Sequence, residues 1–141
     1  MRWEEVWMSF AKTIANKSYD SRLKVGAIVV ASDNTQVLSL GYNGNYTGGP
    51  NVEESLEPGC SGFIHAEANA IIKLDFNFHK EKHMYLTHSP CRMCSKMIIN
   101  AQIKRVIYDQ AYRDTSGLLL LEESGIFVSS FKDVCDISNT R

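Results

Sequence analysis

Apolar residues recur along the chain with two different periods, and these periods predict the secondary structure. Residues 2–17 place apolar side chains at intervals of three and four, which predicts a first helix. Two β-branched runs at 25–32 and 35–43, joined by an Asp-Asn turn, predict a β-hairpin. Residues 44–62 then form a long loop rich in glycine and asparagine, and a loop of this length inside a compact domain is usually functional.

Helical and strand patterns alternate after this loop. A capping box at Thr115 or Ser116 and a terminating Gly125 mark the last helix, and Pro90 suits the start of the helix before it. The predicted helices cover residues 64–74, 90–102 and 115–124, and the predicted strands cover residues 83–89, 103–110 and 126–131. The order along the chain is therefore α-β-β-α-β-α-β-α-β.

This order predicts the architecture. Strands separated by helices are joined by parallel crossovers, so the last three strands should be parallel, whereas the first two form an antiparallel edge pair. The expected fold is α/β: a three-layer α/β/α arrangement with a five-stranded mixed sheet and helices on both faces. We expect a single domain over residues 1–141, in which the polar residues 130–141 are a loosely held tail.

The composition argues against several classes of protein. The 141 residues are 44% hydrophobic and 22% charged with a formal net charge of -1, which offers no extended positive field for duplex nucleic acid. No apolar run approaches the roughly 18 residues that span a membrane. The first residues contain no signal-peptide core, so we expect a cytoplasmic protein. In a reducing compartment, a C-x-x-C pair favours metal binding or redox chemistry over a structural disulfide.

Three residues at two predicted helix starts have the chemistry of a zinc site. Cys91 and Cys94 are three apart, which places both side chains on one helix face, and His65 opens the preceding helix. Two thiolates and an imidazole suit Zn²⁺, and three protein ligands leave a fourth position for water, as in catalytic sites. Both helix N-termini would direct their positive ends toward the ion, which favours thiolates there.

Glu67 distinguishes a catalytic site from a structural one. It lies two residues after His65, close to the metal without being needed as a ligand. A carboxylate in this place could take a proton from zinc-bound water and so act as a general acid and base. We therefore predict Glu67 as the catalytic residue.

These residues carry a resemblance to a known family. The string "HAE…PCRMC" matches the H-x-E and P-C-x-x-C signature of zinc-dependent nucleobase deaminases. Over residues 5–128 the chain resembles the cytidine and deoxycytidylate deaminase superfamily: "KVGAIVV" and "LSLGYNG" are similar to the hairpin of its deoxycytidylate deaminases, and "YRD" after the fourth strand also fits. The resemblance implies hydrolytic deamination of dCMP to dUMP and ammonia, supplying dUMP for thymidylate synthesis, with one Zn²⁺ per subunit.

The resemblance also implies roles for substrate-binding residues. Asn43 would contact the sugar hydroxyl, the Ala66 backbone N–H would hold the base carbonyl oxygen, and Tyr112 would close over the nucleotide. Asn43 could instead serve a turn, and Tyr112 could serve packing alone.

The phosphate of a nucleotide substrate requires a cation. Arg22 and Lys24 precede the first strand and Arg113 follows the fourth, and these two loops could face the same cleft. Each of the three is more often a solvated surface charge. One charge-assisted contact, worth about 1.5–3 kcal/mol, would suffice to prefer dCMP over deoxycytidine.

Other histidines and cysteines leave alternatives for metal binding. A purely structural zinc site would need a fourth protein ligand, which Cys60 or His88 could supply. His88 departs from the leucine expected before Ser-Pro-Cys, and we expect an exposed polar residue there. Some family members carry an extra metal, but for Cys60, His79 and His83 we favour three unrelated side chains.

Rival functions and the assembly remain to be considered. A tRNA adenosine deaminase resembles the zinc pattern, but the near-neutral charge and the absence of a basic C-terminal helix argue against it. A free-nucleoside deaminase is disfavoured by the parallel last strand, and a non-enzymatic zinc nucleotide-binding protein by the intact Glu67. Many deoxycytidylate deaminases similar to this chain are homohexamers controlled by dCTP and dTTP, which implies a homo-oligomer, with a hexamer favoured. The 44–62 loop lacks their tryptophan-bearing stretch, so we assign no regulatory site.

Overall fold

The computed structural model describes residues 1–139, with side chains described as far as Asp136. The helices are α1 (Trp3–Ala15), α2 (Ala66–Ile72), α3 (Arg92–Asn100), α4 (Ser116–Glu123) and α5 (Phe131–Asn139). The strands are β1 (Gly26–Ala31), β2 (Val37–Tyr42), β3 (Lys82–His88), β4 (Ile103–Gln110) and β5 (Phe127–Ser130). Among these residues, no helix combines the length and the hydropathy needed to cross a bilayer.

The strands form one mixed sheet in the order β2-β1-β3-β4-β5. β1 pairs antiparallel with both β2 and β3, whereas β3, β4 and β5 are parallel. The predicted five-stranded mixed sheet is therefore confirmed. Because Ala27 at the start of β1 pairs with Leu86 near the end of β3, the loop before β1 and the loops after β3 and β4 lie along one edge of the sheet.

The helices cover both faces of the sheet, as predicted for a three-layer fold. Alternate residues of β1 point to opposite faces: Ile28 belongs to the hydrophobic cluster that includes residues of α1 and α5, whereas Val29 belongs to the cluster that includes residues of α2, α3 and α4. β1 is buried at every position, because it lies inside the sheet and is covered by helices on both sides.

The end of the chain is better ordered than its composition predicted. Instead of a loosely held tail, Phe131–Asn139 forms helix α5, whose Val134 is buried against α1 and the sheet. The Arg2 Nη1 donates a hydrogen bond to the Cys135 carbonyl oxygen at 3.2 Å, which joins the two ends of the chain. The prediction was wrong because polar residues along the helix hid an apolar face; residues 140 and 141 lie outside the described residues.

The start of α4 also differs from the prediction. The Thr115 side chain makes no capping hydrogen bond, and the Asp114 Oδ1 instead accepts the Ser116 backbone N–H at 2.9 Å. An aspartate serves this purpose because its carboxylate also interacts favourably with the positive helix end. Gly125 follows α4 with a φ of +83°, a left-handed conformation that suits glycine, so the predicted terminator is confirmed.

Candidate active site

The three proposed zinc ligands come together where two helices begin. His65 is the N-cap of α2, and Cys91 is the N-cap of α3, where its Sγ accepts the Cys94 backbone N–H at 3.4 Å. The His65 Nδ1 lies 3.6 Å from the Cys91 Sγ and 3.3 Å from the Cys94 Sγ. The three donor atoms all lie within 4.8 Å of one another, so these residues form a candidate metal site.

The donor set fits zinc. A tetrahedral ion with ordinary Zn–N and Zn–S bonds holds a nitrogen and a sulfur ligand about 3.6 Å apart, close to the observed separations. No other histidine, cysteine or carboxylate of the described residues joins the cluster. Cys60 is exposed, and the His88 Nδ1 pairs with the Thr87 Oγ1 at 2.9 Å, so neither supplies the fourth ligand that a closed structural site would need.

The two cysteines differ in protonation in the metal-free site. Hydrogen bonds from the Cys94 thiol and from His65 lower the pKa of Cys91 to about 4, so this sulfur is a thiolate. The hydrogen bond to that thiolate, together with burial, raises the pKa of Cys94, and the thiolate also raises the pKa of His65. Since zinc binds deprotonated ligands, metal binding must displace the proton of Cys94 and is therefore expected to weaken in acid.

Glu67 lies inside the protein, with its carboxyl beside the Cys94 side chain. It is the second residue of α2 and only 4% exposed. Burial raises the pKa of its carboxyl, because a charge is poorly solvated there. A carboxyl with a raised pKa beside a metal site can both accept and return a proton, as general acid-base chemistry requires.

Two glycines allow helices to approach the site closely. A Cβ at Gly41 would lie 2.4 Å from the Ala66 carbonyl oxygen, so the absence of a side chain lets the first turn of α2 rest on β2. A Cβ at Gly117 would lie 2.4 Å from the Pro90 carbonyl oxygen and 2.9 Å from the carbonyl carbon of Cys91. Neither glycine was predicted to matter from the sequence; a glycine within the pattern of a strand was the available signal for Gly41.

Asn43 is engaged by the segment that leads into β1. Its Oδ1 accepts the Val25 backbone N–H at 2.8 Å, and its Nδ2 donates to the Leu23 carbonyl oxygen at 2.9 Å and to the Asp20 carboxylate at 3.3 Å. The side chain is 8% exposed. Both amide protons are used, so a substrate hydroxyl could only donate to the second lone pair of Oδ1.

Asn69 is a further polar residue that the sequence analysis did not single out. Its Nδ2 donates to the Tyr42 carbonyl oxygen at 2.9 Å and makes a longer contact with the Ile64 carbonyl oxygen at 3.4 Å. These bonds join the end of β2 to the residue before His65, and the Gly44–Ile64 bridge reinforces the same junction. Asn69 thus helps to fix the start of α2.

Tyr112 lies beside the ligand cluster, in the loop after β4. Burial raises the pKa of its hydroxyl, and the negative charges of Glu67 and Cys91 raise it further. Its backbone N–H donates to the Ser89 Oγ at 2.9 Å. The expectation of an exposed polar His88 was wrong, because this side chain is half-buried and its ring stacks on Tyr112.

The three predicted phosphate-binding cations lie along the same sheet edge as the cluster. Arg22, Lys24 and Arg113 are exposed, and none forms an ion pair with another described residue. Lys24 lines a cleft of about 400 Å³ together with Ser18 and Asp20. The structure therefore leaves these cations available for an anion without selecting one of them.

The weaker group of Cys60, His79 and His83 does not form a second metal cluster among the described residues. The His83 Nε2 pairs with the Glu81 carboxylate at 3.0 Å, and His79 lies against the Phe78 ring.

Known proteins share both the sequence pattern and the fold. Residues 1–110 match the family model of the cytidine and deoxycytidylate deaminase zinc-binding region. The chain belongs to the cytidine and deoxycytidylate deaminase family. As a member of this deaminase family it is a zinc-dependent hydrolase, and His65, Cys91 and Cys94 form its candidate zinc site.

Relatives of this deaminase include animal and phage proteins. Human deoxycytidylate deaminase is 32% identical over 148 aligned residues, which cover 96% of this chain and 83% of that protein. Deoxycytidylate deaminase of Mycobacterium phage D29 is 33% identical, with 75% of this chain and 93% of that protein covered. The crystal structure of dCMP deaminase from the cyanophage S-TIM5, in complex with dCMP and dUMP, is 37% identical with a TM-score of 0.80, and the match covers 92% of this chain and 98% of that chain.

Proposed function

We propose that this deaminase hydrolyses dCMP to dUMP and ammonia, a product that can supply thymidylate synthesis. The observation that carries the proposal is the buried Glu67, whose carboxyl interacts with Cys94 of the His-Cys-Cys cluster. A site that held zinc only for structure would have no use for a desolvated carboxyl at this position, because burial of an acid costs stability. The relative determined with dCMP and dUMP supports this choice of substrate.

The reaction assigns two proton transfers to Glu67. When bound, zinc acts as a Lewis acid that lowers the pKa of a water molecule toward about 7. Glu67 accepts a proton from the attacking water and delivers it to N3 of cytosine, while the water oxygen adds to C4. Glu67 then passes the second water proton to the amine as the C4–N bond breaks. One proton ends on N3 of dUMP and the other in ammonia, so the atoms balance.

The base is held by groups at the start of α2. Ala66 is the first residue of this helix, so its backbone N–H has no intrahelical acceptor and can donate to the carbonyl oxygen of cytosine. Tyr112 closes over the nucleotide from the loop after β4. Asn43 accepts the sugar hydroxyl through the second lone pair of Oδ1, while its other hydrogen bonds keep the amide in place.

The phosphate is bound by one or more of Arg22, Lys24 and Arg113. Their unpaired charges along the sheet edge support this assignment. Replacing each with glutamine should raise KM for dCMP without changing KM for deoxycytidine if that cation contacts the phosphate. A cation whose replacement changes both values equally acts in some other way.

The function is tested by ammonia release from dCMP, CMP, deoxycytidine and an adenosine-bearing tRNA hairpin, measured side by side on zinc-loaded protein. We expect dCMP to have the highest kcat/KM. Preferential deamination of the hairpin would replace this proposal by tRNA adenosine deamination. Absence of ammonia from all four substrates would leave a zinc protein without this activity.

The assembly and its control are also proposals. We expect a homo-oligomer, with a hexamer favoured, and a cytoplasmic location. Light scattering after size-exclusion chromatography measures the oligomer, and the same experiment with dCTP or dTTP tests whether either nucleotide changes it. Unchanged mass and unchanged turnover with both nucleotides would argue against them as effectors.

A further inference from the structure

The imidazole of His88 and the ring of Tyr112 form a stacked pair next to the candidate active site. Their centroids are 5.7 Å apart, and their planes differ by 28°. His88 ends β3, whereas Tyr112 follows β4, so the contact joins the ends of two neighbouring parallel strands. The Tyr112 backbone N–H donates to Ser89, two residues before the zinc ligand Cys91, so the pair lies next to the ligand cluster.

Two hydrogen bonds that meet at the Thr87 hydroxyl hold the His88 imidazole in place. The Thr87 Oγ1 accepts the Gly26 backbone N–H at 3.0 Å and lies 2.9 Å from the His88 Nδ1. Since Oγ1 already accepts a hydrogen bond from Gly26, its own proton is available for Nδ1. Burial lowers the pKa of His88, which favours the neutral ring that can accept this proton. The imidazole is thereby fixed at one edge, and its face is left for Tyr112.

Tyr112 has little else to fix its ring. Its backbone is anchored by the hydrogen bond to the Ser89 Oγ at 2.9 Å, but the stack with His88 is the ring–ring contact recorded for it among the described residues. The residue is still 38% exposed, so part of it remains free for a ligand. The position of the ring therefore depends on its stack with His88.

We propose that His88 is a positioning residue that holds the Tyr112 ring in place for the nucleotide. This inference rests on the proposed function, because it takes Tyr112 to cover the substrate. His88 acts through Tyr112: among the described residues its hydrogen bond is to Thr87 and its ring contact is with Tyr112, and neither involves the zinc ligands or Glu67. Its loss should thus weaken nucleotide binding and leave the chemical step intact.

The test compares His88→Leu, which keeps volume but removes the ring, with His88→Phe, which keeps a ring. An aromatic pair contributes enough for His88→Leu to raise KM for dCMP about threefold to tenfold, with kcat changed by less than about twofold. His88→Phe should keep KM within about twofold of the wild type, because stacking is retained. His79→Leu is the matched control, since this histidine is exposed and distant in the fold, and it should leave both constants unchanged.

A double-mutant cycle with Tyr112→Leu identifies the route of the effect. If His88 acts through Tyr112, His88→Leu should not raise KM further once the tyrosine is absent. An equal rise in KM with and without Tyr112 would overturn the proposal. The proposal would also fail if His88→Leu had the wild-type KM, if His88→Leu and His88→Phe raised KM equally, or if His88→Leu lowered only kcat.

The same cycle measured by urea unfolding does not depend on activity. Stacked rings should give a coupling in stability between His88→Leu and Tyr112→Leu, whereas additive effects would show that the rings do not support each other. If the wild type fails to deaminate dCMP, the proposed function fails. The unfolding cycle still decides whether His88 positions Tyr112, so the two failures are distinguishable.

Discussion

Replacing Glu67 with glutamine separates its catalytic role from its effect on the fold. Glutamine has nearly the same shape as glutamate, but it cannot accept and return a proton. General acid-base catalysis contributes about 10²–10⁴-fold to a rate, so we expect kcat to fall by that factor. The loss corresponds to about 3–5 kcal/mol of transition-state stabilisation. KM should change little, because the groups proposed to bind the nucleotide remain.

The same substitution should stabilise the metal-free protein at neutral pH. Glu67 is 4% exposed, and burial raises its pKa above that of the unfolded chain. At pH values between the pKa of Glu67 in the unfolded chain and its pKa in the folded protein, the folded protein keeps a proton on Glu67 that the unfolded chain has lost. The free energy of unfolding of the wild type therefore falls as the pH rises through that window. At pH values above the folded-state pKa, each unit by which folding raises the pKa lowers the free energy of unfolding by about 1.4 kcal/mol. Glutamine avoids this cost, so its advantage should appear on raising the pH and vanish in acid.

Three measurements check this reasoning: zinc content of the purified protein, ammonia release from dCMP, and urea unfolding of the metal-free protein over a range of pH. Glu67→Gln should retain zinc at the wild-type level, lose activity and gain stability near pH 7. Glu57→Gln is the control, because this glutamate is exposed and should affect none of the three. If Glu67→Gln kept more than about a tenth of wild-type kcat, Glu67 would not be the proton carrier.

Three further changes test other contacts. Gly117→Ala should weaken zinc retention against a chelator about tenfold or more, because the new methyl group would clash with the carbonyl oxygen of Pro90, the residue before the ligand Cys91. Zinc retention at the wild-type level would contradict this close contact. Asn43→Ala should lower the free energy of unfolding by about 1–3 kcal/mol, because the buried backbone groups of Val25 and Leu23 lose their hydrogen-bond partner. No measurable loss in urea unfolding would show that water replaces the amide. Val134→Ala should cost about 1–2 kcal/mol in the same assay, and unchanged unfolding would mean that α5 does not cover the sheet.

The sequence by itself determined the five strands, the first four helices and the donor set of the site. The periods of apolar residues predicted the mixed sheet, because alternation in strands and spacing in helices follow from local backbone geometry. The zinc ligands were predictable for the same reason: Cys91 and Cys94 share a helix face at a spacing of three, and Glu67 follows His65 within one turn. These relationships need no knowledge of distant contacts.

Only the tertiary structure decided which distant residues support that site. Gly41 and Gly117 matter because another backbone approaches them closely, and the stack of His88 on Tyr112 depends on the pairing of β3 with β4. Helix α5 forms because its Val134 packs against the apolar surface of α1 and the sheet. Such contacts join residues far apart in the chain, and their free energy comes from packing between elements, which local spacing does not encode.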